Sequence, residues 1–227
     1  MLTAQEAFLP GHPTHRAIEM IRSAFRACVD EQRDLGAVFY DVSQAFDSLE
    51  HADIVGALSR LCLPAEFVSW VQDSLRGVRA QVRTAFGLGP TFAVTRSIRQ
   101  GDPLSPLLFN IVFDMVHAHL QRSGLGFSHH GVMLTTRGFA DDLAAVADSR
   151  FHLGELHHMM LDATRALGLT LNAKKSVCMG VSRTGHGHVQ WQHSGLQIGR
   201  QVDRLRGECQ VPRCEVVLAD WRQHCTD

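Results

Sequence analysis

The chain has 227 residues, 45% of them apolar and 20% charged, a composition that argues for a folded core and against a disordered or low-complexity protein. A formal net charge of −1 removes any global electrostatic case for nucleic-acid binding, so a basic surface has to be local. No apolar run reaches membrane-spanning length, the N-terminus lacks a basic-then-apolar leader, and the six cysteines (positions 28, 62, 178, 209, 214 and 225) are scattered, so the expectation is an intracellular protein with reduced thiols and no membrane partner.

In chain order, Ile18, Ile21, Phe25 and Val29 recur at intervals of three and four and predict an amphipathic helix over 14–33. Gly36 breaks it, and the apolar run after it predicts a buried strand over 37–42. Helices follow over 53–61 and 67–75, parted by Pro64. Val78, Ala80 and Val82 alternate with Arg79, Gln81 and Arg83, the period of a half-exposed strand, and Gly87, Gly89 and Pro90 turn the chain into a partner over 91–98. Ser105 then Pro106 reads as a helix start, serine as N-cap and proline where its missing N–H costs nothing. That helix runs through Leu107, Leu108, Ile111, Met115 and His119.

A hairpin is expected over 132–147, then a helix through Leu153, Leu156, Met160, Ala163 and Leu167 closed by Gly168, then a strand over 177–179. Beyond Gly180 the pattern dissolves. The order predicts an α+β fold, an antiparallel sheet with helices packed on one face.

The hairpin carries Asp141 and Asp142 at its tip between apolar flanks, and a third aspartate, Asp41, ends the earlier apolar run. Strands that deliver carboxylates at one end can hold two divalent cations, a device for phosphoryl and nucleotidyl transfer. Magnesium suits such a site, being hard and oxygen-seeking. Between Asp73 and Asp102 there is no acidic residue, while Arg76, Arg79, Arg83, Arg96 and Arg99 fall there; such a run is usually a solvated face, and the sharper reading is a phosphate-contacting surface. The spacing of Cys209, Cys214, His224 and Cys225 matches no common zinc pattern.

With these positions marked, Arg99-Gln100-Gly101-Asp102-Pro103-Leu104-Ser105-Pro106 and its apolar continuation resemble the signature loop and helix of reverse transcriptases of non-LTR (LINE-type) retrotransposons. Phe39-Tyr40-Asp41-Val42-Ser43-Gln44-Ala45-Phe46-Asp47 is similar to that family's first catalytic motif, and Phe139-Ala140-Asp141-Asp142 to its aromatic-Ala-Asp-Asp box. Gly168-Leu169-Thr170-Leu171-Asn172-Ala173-Lys174-Lys175-Ser176 resembles the motif that follows.

The resemblance implies a right-hand polymerase palm with part of the fingers. It implies RNA-directed DNA polymerisation with two Mg2+ ions, Mn2+ being a substitute, on an RNA template, a DNA primer and deoxynucleoside triphosphates. By position it makes Asp41, Asp141 and Asp142 catalytic metal ligands with the Val42 carbonyl helping. Phe46 stands at the ring position that excludes a ribose 2′-hydroxyl, and Gln100 and Gly101 border the nucleotide. Lys175 lies near the leaving pyrophosphate, where an ammonium can donate a proton as arginine cannot; Lys174 and Lys175 are the only lysines of the chain. Without the motif, Asp47 reads as a helix cap and Asp102 as a structural loop residue.

The chain also departs from the family. His12 follows Gly11 where an arginine is usual, and residues 202–207 are a blurred version of the primer-grip hairpin. The expected organisation is a palm with partial fingers over 1–180 and a degenerate tail over 181–227 without a thumb. Feeble extension is therefore expected unless a partner or further chain segments supply fingers and thumb. The competing expectation is a catalytically weak or inactive retroelement remnant that at most binds nucleic acid.

Overall fold

The computed structural model describes residues 4–8, 11, 14–99, 101–184 and 187–194. Helix α1 (Thr14–Asp30) leads through Gln32, left-handed at φ 54°, into β1 (Leu35–Tyr40). After Asp41 come the short β2 (Val42–Ser43) and a single helical turn, α2 (Ala45–Ser48), entered from Gln44 in the left-handed region. Pro64 parts α3 (His51–Arg60) from α4 (Ala65–Leu75), since a proline cannot continue a helix interior.

A narrow ribbon follows, in which β3 (Arg79–Ala80) pairs with β6 (Phe92–Ala93) and β4 (Arg83–Thr84) with β5 (Gly87–Leu88). Then come α5 (Ser105–Gln121), the pair β7 (Phe127–His129) and β8 (Val132–Leu134), and the hairpin β9 (Thr136–Phe139) and β10 (Asp142–Ala147). Helix α6 (Arg150–Ala166), β11 (Thr170–Leu171), β12 (Val177–Thr184) and β13 (Gly187–Ser194) complete the described elements.

Five strands form an antiparallel sheet in the order β13-β12-β1-β10-β9. Its centre is β1, whose alternate residues face opposite ways. Val38 and Tyr40, with Leu143, Ala145 and Cys178 of the neighbouring strands, join the core under α3 to α6. Leu35 and Ala37, with Ala144, Val146 and Val181, join a second core under α1. The larger core holds Phe109 and Phe113 of α5, fully buried; burying each such ring is worth roughly 1.5–3 kcal/mol.

The α+β expectation holds, with one correction: helices cover both faces of the sheet, because the central strands β1 and β10 are buried and apolar on both sides. Other boundaries differ for physical reasons. Helix α1 stops at Asp30 and buries Ala17, Ile21, Ala24 and Cys28, leaving Val29 exposed; small side chains let the helix approach the sheet, and the buried line shifts by one residue. The hairpin expected over 132–147 is two pairings, since Val132–Leu134 turns back on β7 and only β9 pairs with β10.

Ser105 is not the N-cap but the first helical residue, its hydroxyl donating to the Arg99 carbonyl at 2.6 Å. The ribbon alternates as expected only at Val78 and Ala80, which are half-buried between the exposed Arg79 and Gln81; Val82, Phe86, Leu88 and Phe92 are all exposed. Finally, the sheet continues past Gly180. Strand β12 reaches Thr184 and β13 pairs with it along its length, so a palm boundary at 180 would cut through a strand. The edge position of β13 accounts for its polar sequence, which hid it from a reading of hydrophobic pattern.

Candidate active site

Two adjacent strands bring the aspartates to one end of the sheet. The β1–β10 register runs Val38 with Ala145, Phe39 with Ala144 and Tyr40 with Leu143, so one step further Asp41, just past β1, stands beside Asp142, the first residue of β10. Neighbouring strands lie about 4.8 Å apart, which is the reason two residues so distant in sequence share one locality. Asp141 occupies the hairpin turn, between Ala140 and the first residue of β10.

The turn is held from below. Ala140 is left-handed, φ 56°, a conformation that costs an L residue roughly 1–2 kcal/mol. The side-chain amide of Gln5, fully buried, donates to the Ala140 carbonyl at 3.0 Å and accepts from the Ala140 N–H at 3.0 Å. Backbone bonds from Gly138 N to the Ala4 carbonyl (2.8 Å) and from Glu6 N to the Gly138 carbonyl (2.9 Å) lay the segment along β9. Gly138 is required there by space: a Cβ would come within 2.6 Å of His117 Nε2 and 3.2 Å of Gln5 Nε2.

Asp41 is tied to the strand that follows α6. Asn172 N donates to the Asp41 carbonyl at 2.8 Å, Asp41 N donates to Ser176 Oγ at 3.3 Å, and Ser176 Oγ donates to the Asn172 carbonyl at 2.8 Å. The Asn172 side-chain oxygen accepts from the Lys174 and Lys175 amides at 3.2 and 3.4 Å, folding residues 172–176 into a tight turn. Lys175 is thereby aimed back, and its Nζ lies 3.8 Å from Asp41 Oδ1. An exposed pair of this kind contributes about 0–1 kcal/mol, so its importance is positional. Val42 sits in β2 opposite Leu171, buried.

Phe46 lies on α2, half-buried, its ring stacked on Phe109 with centroids 4.2 Å apart. Its carbonyl accepts from Ile98 N at 2.9 Å, and Ser97 N donates to the Leu49 carbonyl, so the loop before α5 is stitched to α2. Asp47 is no cap; its carboxylate accepts from Ser97 Oγ at 3.3 Å in that same stitch. Gly101 has φ +88°, a conformation that favours glycine. Asp102 accepts from Leu104 N at 2.9 Å, the structural loop role the sequence suggests. Gln100, His12, residues 202–207 and the cluster Cys209, Cys214, His224 and Cys225 lie outside the described residues.

The arginines Arg76, Arg79, Arg83, Arg96 and Arg99 are all exposed. Arg76 ends α4, Arg79 and Arg83 lie on the ribbon, the backbone of Arg96 pairs with that of Glu50 in a single β-bridge, and Arg99 donates to the Ser74 carbonyl at 3.3 Å. No ion pair among the described residues engages any of the five, so their charge faces outward with the exposed Phe86, Leu88 and Phe92.

The donor chemistry of Asp41, Asp141 and Asp142 fits a hard divalent cation. Among the described residues no group of three or more His, Cys, Asp or Glu side chains is gathered at ligating distance. The backbone brings the aspartates together while the Asp41 carboxylate is turned to Lys175. Two buried histidines flank the sheet. Burial, then the Arg137 charge, lowers His117 to about 4, and burial, then His158, lowers His157 to about 4. The His157 Nδ1 lies 3.1 Å from the hydroxyl of Tyr40, whose own pKa burial pushes far up.

Sequence reading missed Gln5 and treated Asn172 and Ser176 only as parts of a motif. The spacing of Asn172 and Ser176 around two lysines was the available signal; nothing in the sequence marks Gln5, whose partner Ala140 is 135 residues away.

Residues 1–198 match the family described as reverse transcriptase (RNA-dependent DNA polymerase). The chain is 38% identical over 141 residues to the Pol polyprotein of the type-2 retrotransposable element R2DM of Drosophila melanogaster, covering 62% of this chain and 13% of that protein. To the Pol polyprotein of a type-1 retrotransposable element R2 of Popillia japonica it is 32% identical over 158 residues, 69% of this chain and 22% of that one. It thus spans less than a quarter of the length of either. Among solved structures it resembles apo telomerase from Candida tropicalis, truncated from its C-terminal domain, at TM-score 0.63 and 11% identity over 84% of this chain and 41% of that one. Telomerase from Candida albicans, in complex with a fragment of telomeric RNA, gives TM-score 0.57 and 13% identity over 79% and 34%. At such identities the likeness is one of fold, and the fold is the polymerase palm expected from the motifs.

Proposed function

The chain belongs to the reverse transcriptase family, of the kind carried by non-LTR retrotransposons, and from that premise we propose that it performs RNA-directed DNA polymerisation, adding deoxynucleotides to a primer 3′ end on an RNA template. The observation that supports this most is the register that makes Asp41 and Asp142 neighbours, with Lys175 3.8 Å from Asp41. Asp41, Asp141, Asp142 and the Val42 carbonyl would hold two Mg2+ ions, or Mn2+ in their stead, which when bound activate the attacking hydroxyl and offset charge on the phosphoryl oxygens.

The chain's own residues would do the rest. Lys175 supplies a proton or positive charge toward the leaving pyrophosphate. Phe46, backed by Phe109, bars a 2′-hydroxyl, while Gln100 and Gly101 border the deoxynucleotide. The exposed arginines hold the phosphates of template and primer. The domain reading is a palm with partial fingers that keeps the β12–β13 hairpin, past the expected boundary at 180, followed by a C-terminal tail, with a partner or further segments supplying grip. Cys28, Cys62 and Cys178 are free thiols, which suits a reducing, intracellular setting.

A second reading, nucleic-acid binding without turnover, draws support from the described carboxylates not being gathered as a metal-holding group. Primer extension on a primed RNA template separates the two. Mg2+-dependent extension should fall at least about a hundredfold in Asp41→Asn and Asp141→Asn. RNA binding with no extension in the wild type would favour the second reading, and extension indifferent to Asp41→Asn would sink the site.

A further inference from the structure

The N-terminal segment before α1 carries buried polar side chains that the polymerase reading does not use. Gln5 is fully buried, and its amide is spent on the N–H and carbonyl of Ala140, with a further contact from Ala7 N to Gln5 Oε1 at 3.3 Å. The segment is itself anchored twice. Asn110 of α5 donates to the Ala7 carbonyl at 2.6 Å, and Ala4, Gln5 and Glu6 run parallel to β9 through the Gly138 bonds. The segment thus links α5, through Ala7, to the left-handed Ala140 of the aspartate hairpin, through Gln5.

We propose that Gln5 is a positioning residue for the aspartate pair: by gripping Ala140 at both its N–H and its carbonyl it sets the direction in which Asp141 and Asp142 leave the turn. The proposal rests on the reading of those aspartates as metal ligands, and it concerns their orientation. The residue before Asp141 is an alanine held at positive φ, so the turn lacks the glycine that would adopt this conformation unaided. A side-chain amide carries a donor and an acceptor on separate atoms, so it can serve a single residue's N–H and carbonyl together. The partners are separated by 135 positions, so the hold exists only in the folded chain.

The test uses the 227-residue chain with Gln5→Met, which keeps size and loses both bonds, and Gln5→Glu, which keeps an acceptor for the Ala140 N–H. Amide exchange at Ala140, read by NMR, should quicken roughly tenfold in Gln5→Met and stay near wild type in Gln5→Glu. Mn2+ binding, read by electron paramagnetic resonance, should weaken about five- to tenfold in Gln5→Met, with Asp41→Asn as the reference for site binding. Unchanged Ala140 exchange in Gln5→Met would overturn the hold. Faster exchange with unchanged Mn2+ affinity, while Asp41→Asn does lose Mn2+, would overturn the positioning role. Mn2+ binding indifferent to both variants would strike the metal-ligand reading, and the positioning role with it, leaving Gln5 a turn clamp only. If Gln5→Met does not fold, Gln5→Glu at neutral pH decides: its carboxylate accepts from the Ala140 N–H but cannot donate to the Ala140 carbonyl, so weaker Mn2+ binding is expected and Mn2+ affinity equal to wild type would overturn the role.

Discussion

The ring of Phe46 lies nearly parallel on that of Phe109, 4.2 Å between centroids and 7° between planes, and Phe109 is in turn stacked on Phe113. A residue read from the motif as a nucleotide-facing ring is thus also the outer member of a stack rooted in the main core. Such a pair contributes about 0.5–1.5 kcal/mol beyond the area it buries. Sugar discrimination should therefore depend on both rings. Phe46→Val is expected to admit ribonucleotides, and Phe109→Leu to relax the selection partly while lowering stability by roughly 1 kcal/mol. Competition between ribo- and deoxynucleotides in primer extension checks it; unchanged discrimination in Phe46→Val would reduce that ring to core packing.

Gly138→Ala should be among the more damaging single-methyl additions. The new Cβ would meet the buried His117 ring, itself fixed by the 2.9 Å contact of Nδ1 with Thr136 Oγ1. Overpacking of this kind costs roughly 1–3 kcal/mol, which thermal melting would register as a drop of several degrees. An unchanged melting temperature would mean that His117 and Gln5 yield easily, and the hairpin would be softer than its contacts indicate.

Acid should unfold the protein through its buried histidines. His117 and His157 are held neutral, lowered from 6.5 to about 4 in the fold. The unfolded chain therefore binds more protons between those values, so stability is full above pH 6.5 and is lost as pH falls toward 4. Each contributes on the order of 3 kcal/mol to that loss. Denaturant titrations at pH 7 and pH 5 should show a markedly lower midpoint at pH 5, and the double variant His117→Gln, His157→Gln should flatten the difference. A midpoint independent of pH across that window would contradict the burial of both rings.

Binding of nucleic acid should be steeply salt-dependent if the outward arginines hold phosphates. Each phosphate contact to a single strand adds about −0.7 to the slope of log affinity against log salt. Arg83→Gln and Arg79→Gln should each reduce that slope by about 0.7 while leaving base preference untouched. Affinity that barely moves between low and moderate salt would return the arginines to the role of a solvated surface.

Much of this was legible in the sequence because it is written locally. The apolar run ending in Asp41, the apolar flanks of Asp141-Asp142 and the spacing of Asn172, Lys175 and Ser176 are each short patterns whose backbone consequence is set by near neighbours. From them the α+β class, the strand-end aspartates and the motif order follow without coordinates. The helical covering of both sheet faces, the pairing of Val132–Leu134 with β7 and the strand β13 were not legible, because each depends on which distant segment supplies hydrogen bonds or apolar area. Gln5 is the extreme case. Nothing near it in sequence explains its burial, and its partner is a left-handed alanine across the fold. A polar side chain acquires that role only when tertiary packing removes water from it and leaves one backbone donor and one acceptor within reach.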